Sequence, residues 1–146
     1  MALSQTGRIV SVLGGRKTLK RNIANLHELN DRVQAGLPYA AFQALIVALG
    51  LTRVEVAAAL GLPERTLARR RSEKKLSAAE SDKVLRLARI AAHAAEVLGG
   101  EARAGHWLRG SIVALGSRRP LDLLATDIGA HEVDTILGRI EHGVIS

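Results

Sequence analysis

Residues 53–75 read RVEVAAALGLPERTLARRRSEKK: an alanine-rich helical stretch, a glycine turn and an arginine-rich helical stretch in direct succession. That order predicts a helix-turn-helix. Thr52 stands at the expected N-cap, and Glu55 three residues on completes a Thr-x-x-Glu capping box, in which each side chain satisfies the other residue's backbone amide. Ala57, Ala58 and Leu60 offer the first helix a small apolar inner surface. Gly61 supplies a turn in which positive φ is sterically free. Pro63 suits the first position of the next helix, because its missing amide would be unpaired there anyway.

At about 100° per residue, Arg65, Thr66, Arg69 and Arg70 fall on one arc of the second helix, with Leu67 on the other side and Lys74 following at its end. Guanidinium groups bond bidentately to guanine edges or to phosphates, and a threonine serves base or backbone. Arg65, Thr66, Arg69, Arg70 and Lys74 are therefore the expected DNA contacts of a recognition helix in a major groove. The competing reading of the same arc is a solvated basic face.

The chain has 146 residues, enough for one domain or two small ones sharing a core. Hydrophobic residues make up 47% but aromatics only 2%, so the core must be aliphatic, and its leucines and alanines favour helices. Absence of cysteine removes disulfides, thiolate zinc sites and cysteine nucleophiles together. The longest apolar run, Ala40 to Leu51, is too short to span a bilayer. The amino-terminal stretch lacks an apolar signal core followed by a cleavage site, so the bacterial cytoplasm is the expected compartment, with no membrane partner.

The net charge of +7 is unevenly spread. Residues 1–36 carry six Lys/Arg against two acids, residues 53–89 ten against five, and residues 96–146 five against seven. The positive charge lies mostly upstream of residue 90, where it can neutralise phosphates and release counterions. The mildly acidic end is expected to face something other than DNA.

Three regions are expected: a basic arm and first helix over 1–36, a helix-turn-helix region over 37–98, and a carboxy-terminal region over 99–146. The first twenty residues, with Gly7, Gly14 and Gly15 among scattered bases, read as a mobile arm. Ile23, Leu26, Val33 and either Leu29 or Asn30 then recur at helical spacing until Gly36. Pro38 starts a helix with Phe42, Leu45, Ile46 and Leu49 on one stripe, closed by Gly50. Ser77-Ala78-Ala79-Glu80 is a second capping box, opening a long helix whose Val84, Leu87, Ala88, Ala91, Ala95 and Leu98 keep the rhythm as far as Gly99-Gly100. Ala104, Trp107, Leu108, Ser111, Ile112 and Leu115 mark another helix, with Trp107 on its buried side. The last helix is expected to start after Thr126 and run through Val133, Ile136, Leu137 and Ile140, leaving 143–146 as a tail. No alternating β pattern is present, so the expected fold is all-α.

Residues 99–110, GGEARAGHWLRG, and 114–144, ALGSRRPLDLLATDIGAHEVDTILGRIEHGV, carry three further patterns. These are a Trp-Leu pair, a Gly-x-x-x-Pro-Leu-x-Leu-Leu-x-Thr block, and a closing Val-x-x-x-Leu-x-Arg-Ile-x-x-Gly helix. Their combination resembles the toxin-binding region of the Xre/MbcA/ParS family of bacterial antitoxins, and the helix-turn-helix resembles the Xre-like half of the same family. Together the likeness spans residues 38–146. It implies an antitoxin that plugs the active-site entrance of a RES-domain, NAD-consuming toxin and represses its own operon. On that resemblance, toxin contacts are expected at Arg139, Ile140, Glu141 and Gly143 by motif, and at His142, Val144, Ile145 and Ser146 by position. A homodimer reading operator DNA is expected as well.

Two rival readings stay open in the sequence. The first is a stand-alone dimeric helix-turn-helix regulator with no toxin partner. The second is an enzyme, which the residues disfavour: His27, His93, His106, His131 and His142 have no metal-ligand spacing, and there is no Gly-x-x-x-x-Gly-Lys loop. Neither catalytic residues nor a cofactor or metal site are therefore expected.

Overall fold

The computed structural model describes residues 3–143. Among these the regular structure is helical, without strands: α1 (Gln5–Val12), α2 (Gly15–Leu19), α3 (Leu26–Gln34), α4 (Tyr39–Leu49), α5 (Arg53–Leu60), α6 (Glu64–Glu73), α7 (Ala78–Leu98), α8 (Glu101–Arg109), two 3₁₀ turns (Val113–Leu115 and Pro120–Leu123), and α9 (Asp127–Glu141). The starts are locally encoded. Ser4, Asn25, Thr52, Ser77 and Thr126 each accept a hydrogen bond from the amide three residues on, and so cap α1, α3, α5, α7 and α9. A cap of this kind contributes about 1 kcal/mol.

The 21-residue α7, about 31 Å long at 1.5 Å per residue, is the spine on which α1, α3, α8 and α9 pack. Its buried Ala88, Ala91, Ala92 and Ala94 admit close neighbours, while Val84 and Leu87 fill the core. The buried Ser81 hydroxyl accepts from the Leu37 amide at 2.7 Å and ties α7 to the segment before α4. No described helix is long and apolar enough to cross a membrane. The apolar α4 and α5 bend by 112° at Gly50 and bury Phe42, Leu45, Leu49, Val56 and Leu60 inside the protein.

Four sequence expectations are corrected here. The first twenty residues, read as a mobile arm, form α1 and α2, with Ile9, Val12, Leu13 and Leu19 buried and Arg8 paired to Glu96 of α7 at 3.0 Å. In α5 it is Val56, Ala57, Ala59 and Leu60 that turn inward, and Ala58 is exposed. In α3 Leu29 and Val33 are buried, whereas Leu26 is half exposed. The helix expected to run from Ala104 through Leu115 stops at Arg109. Gly110 is extended there, and a loop closes instead, with the Ile112 amide bonded to the Arg118 carbonyl at 3.1 Å and the Arg118 guanidinium donating to the Leu115 carbonyl at 2.8 Å. Trp107 packs against the core but stays half-buried.

Candidate nucleic-acid interface and terminal helix

The turn between α5 and α6 is built by its own residues. Thr52 Oγ1 accepts from the Glu55 amide at 3.1 Å, and Glu55 Oε2 accepts from the Thr52 amide at 2.8 Å. At the other end Gly61 takes φ 68°, and the Leu62 amide reaches the Ala57 carbonyl at 2.8 Å. Leu62 is thereby buried, Pro63 is extended, and α6 starts at Glu64. Pro63 thus sits one position before the first helical residue.

Leu67 is fully buried and fixes how α6 is rolled. Opposite it, Arg65, Ala68, Arg69 and Ser72 face outward. Arg65 makes no ion pair among the described residues, and Arg69 only approaches Glu73 at 3.8 Å. Thr66 is half-buried at the edge, and Lys74 is an exposed αL C-cap with φ 63° whose carbonyl accepts from the Tyr39 amide. Arg70 behaves differently from its neighbours. Its Nε and Nη2 donate to the two Glu80 oxygens at 2.7 and 3.2 Å, and its Nη1 donates to Glu73 at 3.0 Å. Only 21% of its side chain is exposed. At about 100° per residue Arg70 lies about 60° from Leu67, so it fastens α6 to the capping box of α7 instead of standing on the outward arc. Burial alone would raise the Glu80 carboxyl, but Arg70 and Ser77 bond its charged form and bring it below the usual range. Centring the arc opposite Leu67 would have found Ala68 and Ser72, which sequence reasoning passed over.

A second brace comes from α8. Arg109 grips Glu55 through Nε at 3.2 Å and through Nη2, which also donates to the Gly50 carbonyl at 3.3 Å. The Arg109 hydrogen bond outweighs burial and holds the Glu55 carboxyl at about 2. Because this folded value lies below the ordinary 4.5, the contribution is complete above the ordinary value and is lost as pH falls toward about 2. Urea unfolding measured against pH is expected to show wild type more stable than Glu55→Gln above pH 4.5, with the gap closing as pH falls through that window. A gap constant across the window would mean that the Arg109 pair contributes nothing.

The terminal helix α9 is held on α7 at both ends. Arg86 donates to the Leu124 and Ala125 carbonyls at 3.1 and 3.2 Å and pairs with Asp127 at 2.9 Å. Near the far end His93 bridges Asp134 (Nδ1, 2.7 Å) and Glu141 (Nε2, 3.1 Å). Burial pulls the imidazole down, but the hydrogen bonds and charges of Asp134 and Glu141 outweigh it and raise His93, favouring the doubly paired cation. Val133, Ile136 and Leu137 face the core.

Of the expected contacts on this helix, Arg139 is exposed with no ion pair among the described residues, and His142 and Gly143 are exposed at its end. Glu141, expected as a free contact, is held by His93. Val144, Ile145 and Ser146 lie outside the described residues. The pairing of His93 with Asp134 is not expected from the sequence, since it spans 41 positions and no local pattern announces it. Among the described residues no three His, Asp or Glu side chains are grouped to hold a metal ion.

Comparison with known proteins gives two family matches. Residues 28–89 match the antitoxin Xre-like helix-turn-helix domain, and residues 93–143 match the antitoxin Xre/MbcA/ParS C-terminal toxin-binding domain. The two matches meet inside α7. Antitoxin Xre of Yersinia enterocolitica serotype O:8 / biotype 1B is 33% identical over 120 residues, 81% of each chain. Antitoxin Xre of Photorhabdus laumondii subsp. laumondii is 38% identical over 88 residues, 59% of this chain and 60% of that one.

Proposed function

This chain belongs to the Xre/MbcA/ParS antitoxin family, and from that premise we propose that it neutralises a RES-domain, NAD-consuming toxin through the end of α9 and represses its own operon through α6. The toxin contacts would be Arg139, His142 and Gly143 with the following Val144, Ile145 and Ser146. Glu141 would act by fixing the last turn on His93. On the DNA side Arg65 and Arg69 would read bases, Thr66 and Lys74 would meet the backbone, and two copies would read paired half-sites.

The observation that carries this reading is the double anchoring of α7. Glu80 holds the recognition helix and His93 holds the last turn of α9, thirteen residues apart on one helix. At 1.5 Å per residue that is about 20 Å, so the two binding elements are rigidly linked yet spatially separate. The last turn of α9, already fixed on α7, loses little entropy on binding. Its neighbouring Arg139 is free to pair with the charged lining of a nucleotide pocket.

The proposal requires a RES-domain gene in the adjoining reading frame, and the test is co-expression with its product, following growth and cellular NAD. Wild type is expected to restore both. Deletion of residues 143–146 is expected to leave NAD depleted while operator binding in a mobility shift persists. A wild-type chain that binds the operator but leaves NAD depleted would overturn the toxin assignment.

A further inference from the structure

We propose that α2 and the residues directly after it, Lys20 and Arg21, carry a second phosphate-binding surface, continuous with the end of the recognition helix, which grips the duplex DNA backbone flanking the operator. The proposal rests on the reading of α6 as the DNA-contacting helix.

The first supporting observation is that the segment is built. Ile9, Val12, Leu13 and Leu19 are buried, and the Arg8–Glu96 pair pins α1 to α7, so α2 is presented from a fixed scaffold. On it Arg16, Lys17, Lys20 and Arg21 are all exposed, and among the described residues none of them has a carboxylate partner. The two acids of the region lie on α3. Glu28 is occupied with the amide of Ala24, the residue before the Asn25 N-cap, and Asp31 is exposed one position from Arg32. Cations on a folded surface that are left unneutralised repel one another, and an arrangement of this kind is relieved by a polyanion.

The second observation is continuity. Arg32 donates to the Leu19 carbonyl at 3.4 Å and to the Gly36 carbonyl at 2.6 Å, bridging the end of α2 to the segment before α4. Gly36 takes φ 94°, and its open side is pressed against the Lys75 side chain and the Leu76 carbonyl. The same segment is stitched to the end of α6 by the Leu76 amide on the Leu37 carbonyl at 2.9 Å and the Tyr39 amide on the Lys74 carbonyl at 3.2 Å. Lys74 and Lys75, Arg32, and then Lys20 and Arg21 thus follow one another without an intervening acidic side chain in these contacts. Burial and the neighbouring Arg21 charge both lower Arg32, as expected where cations crowd together. A duplex whose major groove receives α6 carries one of its phosphate strands past the end of that helix, which makes DNA backbone the occupant that this continuity favours over an unrelated acidic protein.

The test compares wild type with the fourfold variant Arg16→Ala, Lys17→Ala, Lys20→Ala, Arg21→Ala. Two duplexes are used, both centred on the operator found by nuclease protection: one trimmed to the half-sites, about 20 base pairs, and one with natural flanks on each side. Each phosphate contact adds about 0.9 to the slope of log affinity against log salt. On the long duplex, where each of two bound copies loses four contacts, the variant is therefore expected to lose up to about 7 from that slope and at least tenfold in affinity, with operator preference over scrambled sequence unchanged. On the short duplex the two proteins are expected to bind alike. The four side chains are exposed, so the helical circular dichroism signal and thermal melt should match wild type.

Equal salt slopes on the long duplex would overturn the proposal. Weakened toxin capture with unchanged DNA slopes would overturn it too and reassign the patch to a protein. If wild type protects no operator, the reading of α6 fails and this surface falls with it. If operator preference depends on Arg65 and Arg69 but the slopes are equal, only the second surface is lost.

Discussion

Alanine at both Arg65 and Arg69 is expected to abolish discrimination between operator and scrambled DNA while leaving the fold intact. Each bidentate guanidinium contact to a base carries about 1–3 kcal/mol of discrimination, so the pair accounts for roughly 2–6 kcal/mol, about 30-fold to 10⁴-fold. The structure makes this a clean substitution. Both side chains stand opposite the buried Leu67, Arg65 is unpaired among the described residues, and Arg69 has only a long contact to Glu73. The small exposed Ala68 and Ser72 beside them let the helix backbone come close to a groove floor. Arg70→Ala makes the contrast. It strips Glu80, whose side chain is only 13% exposed, of its partner, so it should lower the melting temperature and leave sequence preference largely in place. Competition binding against scrambled duplex measures the first effect and thermal unfolding the second. Full discrimination retained by the Arg65/Arg69 variant would remove α6 as the reader.

What was legible in the chain was what its neighbours in sequence decide. Thr52 with Glu55, Gly61 before Leu62, and Ser77 with Glu80 are satisfied within a few residues, so these boundaries can be read directly. What was not legible depends on partners far along the chain. Arg70 sits on the same projected arc as Arg69, and only the fold shows Glu80 waiting across the turn. Ile9, Val12 and Leu13 do have helical spacing behind the Ser4 cap, but the glycines around them mask it, and the helix that buries them is α7, some eighty positions on. The stop at Arg109 is equally non-local, because the apolar rhythm continues to Leu115 and the loop closed by Arg118 overrides it. In sequence the last turn of α9 reads as a free end, and only the fold brings His93 to Glu141, 48 positions away.

Gly105→Ala is expected to be strongly destabilising, although its position in the middle of α8 argues the opposite on propensity alone. In an open helix interior, alanine for glycine stabilises by about 1 kcal/mol. Here a Cβ at residue 105 would run into the backbone carbonyl of Leu49, the last residue of α4. A carbonyl in a capped helix end cannot rotate aside as a side chain can, so α8 must move off α4 as a body. That movement breaks more than packing: four residues on, Arg109 reaches from α8 to Glu55 and the Gly50 carbonyl, and those bonds need the present spacing. Overpacking of a core costs about 1–3 kcal/mol, occasionally more, and loss of the Arg109 brace adds to it. The internal control is Gly138→Ala in α9, where an added Cβ meets nothing within 4 Å. It should be neutral or slightly stabilising, by up to about 1 kcal/mol. Urea unfolding of the two variants beside wild type separates the effects. The decisive comparison is one of opposite signs, because two alanines of equal helix propensity differ only in what the fold has placed against them. If both stabilise, α4 and α8 do not meet at Gly105, and the route by which the toxin-binding half braces the helix-turn-helix is lost.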